Sequence, residues 1–289
     1  MMFGSSHQER YGEITKETAF SIMDTYYDNG GNFIDTANVY QNGESEQWLG
    51  EWMSARQIRD QLVLATKYSN AYSGKPGDIQ ANYLGNGTKS MRQSLEKSLQ
   101  NLQTTYVDLF YVHFWDYTTS IPELMHALND LVSSGKYARD HGLRQFVVYQ
   151  GMWNASMRDF ERDIIPMVHD EGMGLCPYGV FNQGRFQTTE GFKQREKNHG
   201  GRNFIPLSER DKQVSAQLER LSEKTGYSLF NIALAYVLQK TPYVFPIVGA
   251  RKIEHLTHNI PAVEISLSEK TLLRSNAPTP LITDFHILS

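Results

Sequence analysis

The chain is poor in several things, and each shortage removes a class of protein. It holds one cysteine, Cys176, in 289 residues, which leaves no disulfide framework and no multi-cysteine zinc site. It has no basic excess: 28 lysines and arginines face 32 aspartates and glutamates, a formal net charge of -4, whereas nucleic-acid binders usually present a basic face. No apolar run approaches the ~18 residues of a membrane span. The opening MMFGSSHQER lacks the basic region and following apolar stretch of a secretory signal. The two N-x-S/T sequons, at Asn86 and Asn154, therefore carry no expectation of glycosylation. Neither G-x-G-x-x-G after a strand nor G-x-x-x-x-G-K-S/T occurs, so the dinucleotide-fingerprint and P-loop readings fail. What is present is 40% hydrophobic, 12% aromatic and 21% charged, too apolar and too nearly neutral for intrinsic disorder. The expectation is a soluble cytoplasmic protein without a nucleic-acid or membrane partner.

Short apolar runs alternate with amphipathic stretches, the pattern of a parallel α/β protein. Strands are predicted as a brief start at Met1–Phe3, then Asn32–Asp35, Leu62–Ala65, Asp108–His113, Phe146–Tyr149, Gly174–Cys176 and Val244–Val248. Helices are predicted over Thr15–Asp28, from about Ser45, through Met91 to Leu102, after Ser120, over Ser156–His169, around Val214–Leu221 and Asn231–Leu238, and through Leu256 and Ile260. Ser120 and Glu123 make a capping box with proline in the first turn. The polar stretches Ser69–Thr88 and Asn198–Asp211 read as loops, the first long enough to be functional. No composition break marks a linker, so residues 1–289 are expected to be one domain. Seven strands fall one short of a closed eight-stranded barrel. The shortage lies between His113 and Gln145, where 31 residues hold a capped helix but no further unit of ~30 residues.

In a parallel barrel, catalytic side chains sit at the C-terminal ends of strands. Those ends carry Asp35, then Tyr40 just beyond, then Lys67, then His113. Each alone has an ordinary reading: a cap, a packed ring, a satisfied core histidine. Lys67 is the sharpest, because an ammonium directly after a buried Leu-Ala-Thr run is costly unless paired. Together they form a coherent set. A free phenol ionises near pH ~10; an adjacent ammonium favours its phenolate, and Asp35 would hold that ammonium charged and oriented. His113 could donate to the same oxygen that Tyr40 protonates. The set suits protonation of a carbonyl oxygen as a hydride arrives at carbon, and the hydride must come from a cofactor. After the last strand, Gly249 and the pair Arg251 and Lys252 open a helix, an anion site suited to a ribose 2′-phosphate and so to NADP(H). An ordinary solvated charge pair fits the same residues. His255 and His258 without other ligands are too little for a metal site, and none is expected. The rim aromatics Phe114, Trp115 and Tyr117 suit either a flat substrate or packing.

These residues resemble the aldo-keto reductases. The run from Gly31 through Asp35 to Tyr40, with Glu44, Ser45 and Glu46 after it, carries the likeness, followed in order by Ala65–Lys67, Tyr111–His113 and Gly249–Asn259. The stretches at Gly50–Met53, Trp115–Ser120 and Arg158–Pro166 resemble the fungal aryl-alcohol dehydrogenase subgroup, which includes norsolorinic acid reductases of aflatoxin and sterigmatocystin pathways. The resemblance implies an eight-stranded (β/α)8 TIM-type barrel with NADP(H) across its C-terminal rim, and reduction of an aryl aldehyde or a polyketide-derived aromatic ketone. It implies Tyr40 as general acid, Asp35 and Lys67 as its tuning pair, with Asp35 also at the cofactor, and His113 as orienter of the carbonyl. It assigns Gln150 to the nicotinamide amide, the loop of Tyr178, Gly179, Gly184 and Arg185 to the pyrophosphate, and Gly249, Arg251, Lys252, His255 and Asn259 to the adenosine phosphate. Against the family pattern, one strand and most of a helix are excised after Lys136, and the N-terminal hairpin is absent. The partner implied is a small aromatic carbonyl or alcohol, with no oligomeric state indicated. A non-catalytic NADP-binding relative and a truncated gene product remain the alternatives.

Overall fold

Thr15 starts the first long helix because its hydroxyl accepts the Thr18 N–H at 3.2 Å, one of the donors that a helix start leaves unpaired. The protein is known here from a computed structural model, which describes residues 2–71, 77–133, 146–197 and 206–267. These fall into two compact units, one within Met1–Gln145 and Gly249–Leu256, the other within Phe146–Val248 and Thr257–Ser289. Both are mixed α/β with parallel strands.

In the first unit a short helix α1 (Gln8–Tyr11) precedes α2 (Lys16–Asp28). Parallel strands β1 (Phe33–Asp35), β2 (Val63–Tyr68) and β3 (Leu109–Val112) lie in that spatial order, Asp35 opposite Ala65 and Lys67 opposite Tyr111. The crossovers are α3 (Glu44–Arg56) and α4 (Thr88–Asn101), with α5 (Ile121–Ser133) after β3. Helices are the usual way to return a chain for parallel pairing. Met23 of α2, Leu49, Trp52 and Met53 of α3, and Leu64 of β2 share one core cluster with Leu102. Gly50 sets the approach of α3 to α4: a Cβ there would lie 2.4 Å from the Asn101 carbonyl oxygen.

In the second unit β4 (Val148–Met152) pairs in parallel with β5 (Gly174–Tyr178), Gln150 opposite Cys176. Around them are α6 (Ile164–Asp170), α7 (Thr189–Lys197), α8 (Glu209–Thr225) and α9 (Leu229–Lys240). Ser208 and Asp211 close a full capping box on α8. Trp153, Leu175, Phe186, Ile232 and Val237 anchor the core here. Among the described residues the last helix is α10 (Ile253–Thr257), which belongs to the first unit as far as Leu256.

Several predicted elements are displaced. The strand predicted at Phe146–Tyr149 runs over Val148–Met152 instead, because pairing with Gly174 fixes its start, and Val147 is left 63% exposed. The helix predicted over Ser156–His169 is a 3-10 turn at Asp159–Glu161 followed by α6. Pro166 explains the break: it lies in the first turn of α6, where its missing N–H is harmless, but would have been interior to the longer helix. Val244–Val248 touches β5 through two parallel bridges, at Val244 and Ile247, rather than a continuous ladder. Phe245 N donates to Leu175 O and Ile247 N to Pro177 O, each at 2.8 Å; the donor due between them would be Pro177, which has no N–H. Met2 and Phe3 carry no strand, α7 was not anticipated, and α8 begins at Glu209, before the predicted end of its loop. The gap inferred after Lys136 lies outside the described residues.

Candidate active site

Parallel pairing sends β1, β2 and β3 toward one edge, so their C-terminal residues gather there. Pairing continues past β1, with Thr36 N donating to Ala65 O at 2.9 Å and Asn38 N to Lys67 O at 3.1 Å. Lys67 lies almost fully buried, its side chain 2% exposed against 7% for Asp35, and its Nζ donates to Asp35 Oδ2 at 2.5 Å and to the Thr36 carbonyl at 2.6 Å. A buried ammonium held by one carboxylate and one carbonyl meets the requirement that interior charge be paired. The same Nζ lies 5.0 Å from the centre of the Tyr40 ring and 5.7 Å from that of Tyr111.

Tyr40 opens a tight turn, Tyr40–Gly43, in which Gln41 and Asn42 take left-handed φ of 53° and 55°. His113 follows β3, its N–H donating to Tyr68 O at 2.9 Å. Its ring meets that of Tyr40 edge-on, 5.8 Å between centroids at 80°. Burial, and then the positive charge of Lys67, push the His113 pKa down to about 4, with Asp35 opposing. The ring is therefore neutral near pH 7 and carries a single N–H. Asp35, Tyr40, Lys67 and His113 thus come together within the first unit. A phenol beside a buried ammonium and a neutral imidazole can give up a proton and donate a hydrogen bond to one oxygen.

A cleft of about 290 Å3 opens on this group, lined by His7, Tyr11, Val39, Tyr40, Gln41, Asn70 and His113. Sequence reasoning missed His7, Tyr11 and Asn70; only the length of the Ser69–Thr88 loop pointed to Asn70. The wall that carries His7 is fixed by Glu44, whose carboxylate accepts the backbone N–H and hydroxyl of both Ser5 and Ser6 at 2.7–2.9 Å. Burial pushes the Glu44 pKa up, but these four donors outweigh it and hold it below its ordinary value. Behind β2, Glu46 is fully buried and accepts from Thr66 Oγ1 at 2.7 Å and Asn101 Nδ2 at 3.1 Å. Burial raises its pKa despite those donors.

Both sequon asparagines are completely buried. Asn86 joins two loops: its Nδ2 donates to Ser69 Oγ at 2.8 Å and Phe114 O at 3.1 Å, while Asp116 N donates to its Oδ1 at 2.7 Å. Asp116 Oδ2 accepts the Asn86 N–H at 2.7 Å. In the second unit, Asn154 Oδ1 accepts from the N–H groups of Ser156 and Met157, and its Nδ2 donates to Gly179 O at 2.9 Å.

Of the residues assigned to a cofactor, Gln150 is half-buried at the middle of β4 and Tyr178 is exposed at the end of β5. Gly179 and Gly184 take φ of 69° and 78°, where glycine is favoured, around a turn in which Asn182 and Gln183 are also left-handed. Arg185 is 5% exposed, with its guanidinium against Asn182 Oδ1 and Asp211. In the first unit, Lys252 and His255 are exposed, and Arg251 is half-buried with Nη1 donating to Tyr11 O at 3.4 Å. Gly249 is exposed near Met2; Asn259, in the second unit, is half-buried before a 3-10 turn at Ile260–Val263. Among the described residues no helix is long and apolar enough to cross a membrane, and no three His, Cys, Asp or Glu side chains cluster to hold a metal ion.

Comparison with known proteins gives an independent line. A profile described as "Aldo/keto reductase family" matches residues 1–275. Norsolorinic acid reductase B of Aspergillus parasiticus is 61% identical, the match covering 93% of this chain and 76% of its own. The protein of the same name in Dothistroma septosporum is 58% identical, over 99% of this chain and 78% of its own. An aryl-alcohol dehydrogenase [NADP(+)] of Phanerodontia chrysosporium is 44% identical, over 98% of this chain and 81% of its own.

Proposed function

The chain belongs to the aldo/keto reductase family and is an oxidoreductase, and from that premise we propose that it reduces an aromatic carbonyl with NADP(H), using Tyr40 as the general acid. The observation that carries the reading is the buried Lys67–Asp35 pair, with the Lys67 Nζ 5.0 Å from the Tyr40 ring and His113 at that ring's edge. Tyr40 gives its hydroxyl proton to the carbonyl oxygen. Lys67 stabilises the phenolate this leaves, Asp35 holds Lys67 in place, and neutral His113 donates a hydrogen bond to the same oxygen. A bound reduced nicotinamide would supply the hydride, which no side chain can.

Each unit, taken by itself, carries groups that suit such a cofactor. Arg251 and Lys252 bring two cations suited to a ribose phosphate. Gln150 brings a primary amide that can pair with the nicotinamide amide. Gly179, Asn182, Gln183 and Gly184 take left-handed φ, the kind of backbone from which anion-binding nests are built, with the Asn182 and Gly184 N–H groups spent on Gly179 O and Phe181 O. Arg185, buried against Asn182 and Asp211, serves that loop by holding its shape. The names of two relatives, a norsolorinic acid reductase and an NADP(+) aryl-alcohol dehydrogenase, favour a polyketide-derived ketone or aryl aldehyde, as do the exposed Phe114, Trp115 and Tyr117 beside His113. The reading includes a single domain over residues 1–289 with the family's (β/α)8 barrel, short of one strand–helix unit after Lys136, acting in the cytoplasm.

Oxidation of NADPH in the presence of an aryl aldehyde tests the chemistry. Tyr40→Phe is expected to lower kcat by about 100- to 10,000-fold with NADPH binding, read by nucleotide fluorescence, retained. Equal activity in Tyr40→Phe overturns the assignment. Turnover with and without a strand–helix unit inserted after Lys136 tests the barrel: a gain on insertion supports the missing unit, and no activity in either form overturns the aryl-carbonyl reading.

A further inference from the structure

Ser69 is fully buried yet has a φ of 127°, a backbone state that non-glycine residues adopt only when their surroundings enforce it. The enforcement is visible. Its carbonyl accepts the Gly85 N–H at 2.8 Å, and its hydroxyl accepts from Asn86 Nδ2, also at 2.8 Å. Asn86 is tied in turn to Phe114 and Asp116, on the loop that starts at His113. The turn at Ser69 swings the next side chain, Asn70, toward His113, where Asn70 Nδ2 lies 3.3 Å from His113 Nδ1. One frame therefore positions both partners.

We propose that Asn70 is a positioning residue that fixes His113 as the Nε2–H tautomer, by donating its amide N–H to Nδ1. The argument is one of donor count. An amide nitrogen only donates, so Nδ1 must accept, and a neutral imidazole then carries its single proton on Nε2. That is the nitrogen which must hold a proton if His113 is to donate to a carbonyl oxygen, so the inference rests on the reductase reading above. The ring stays neutral because burial and Lys67 disfavour the imidazolium. The titratable groups around it are Lys67 and Asp35, Tyr40 at its edge, and His7 and Tyr11 in the same cleft.

Asn70→Asp and Asn70→Ala test this in the full chain labelled with 15N-histidine, His113 being the signal that disappears in His113→Gln. The expected parent spectrum at pH 7 has Nε2 protonated and Nδ1 bare. A carboxylate at position 70 can only accept from Nδ1–H, so Asn70→Asp should protonate Nδ1 and raise the His113 titration midpoint by about one pH unit or more. Asn70→Ala should give a mixture of tautomers. In turnover, Asn70→Asp should lower kcat roughly 10-fold or more with KM little changed, and move the acid limb of the pH profile upward. An unchanged His113 15N pattern and midpoint in both variants overturns the proposal. If the parent reduces no aryl carbonyl, the reductase reading fails on that ground, while the 15N signals still decide the tautomer.

Discussion

Lys67 and Asp35 face each other across adjacent strands with almost no solvent contact. A buried ion pair is seldom a net source of stability, because desolvation of both charges offsets their attraction, but removing one partner strands the other. Lys67→Met should therefore destabilise the protein by about 3–5 kcal/mol, read from the denaturant midpoint, and Asp35→Asn added to it should recover part of that loss. A midpoint unchanged in Lys67→Met would mean that Asp35 does not depend on the pair. At this scale the sequence was informative where chemistry conflicts with context: an ammonium after an apolar run announces itself. Asn70 and Glu46 did not, since a polar residue in a loop and a glutamate in a helix are ordinary until burial and a partner are known.

Elements meet where glycine or asparagine allows it. Gly50 lies inside α3, where alanine would normally gain about 1 kcal/mol in helix propensity. Its Cβ would, however, lie 2.4–2.7 Å from backbone atoms of Asn101 and Leu102, and backbone cannot swing aside as a side chain can. Overpacking of this kind costs about 1–3 kcal/mol, so Gly50→Ala should be net destabilising in urea unfolding; a stabilised variant would show that α3 and α4 can separate freely. Asn86 joins the loops after β2 and β3 through four hydrogen bonds. Asn86→Ala keeps the backbone bond to Asp116 but takes the side-chain partner from the part-buried Asp116 N–H and Phe114 carbonyl, at about 1 kcal/mol for each bond lost where water can replace it in part. Hydrogen exchange should quicken at Gly85, Asp116 and Thr119 ahead of the amides of β2, and uniform protection would rule out this link. The displaced elements have the same lesson: Pro166 and Pro177 edit patterns that apolar periodicity alone draws too long.

Across the whole molecule, contacts gather into two compact units, whereas the single-domain proposal calls for cooperative unfolding. One transition, coincident by tryptophan fluorescence and far-ultraviolet circular dichroism, is the expected outcome, and NADPH should raise its midpoint. Two separated transitions would mean that the units fold independently. If Arg251 holds the ribose phosphate as proposed, the preference for NADPH over NADH should shrink about 10-fold or more in Arg251→Ala, since an arginine–phosphate contact is charge-assisted and bidentate; an unaltered ratio of kcat/KM values would take Arg251 out of cofactor selection.

The amino-acid order alone determined the alternation of strand and helix, the identity of Asp35, Tyr40, Lys67 and His113 as a set, and the family likeness, because hydrophobic period and motif spacing are local quantities. Tertiary structure decided what depends on residues distant in the chain. It buried Lys67 against Asp35, turned the two sequon asparagines into interior clamps, lined the cleft with His7, Tyr11 and Asn70, and aimed the Asn70 amide at His113. A hydrogen-bond partner or a protonation state is a property of neighbours in space, and those neighbours are chosen only when the strands pair.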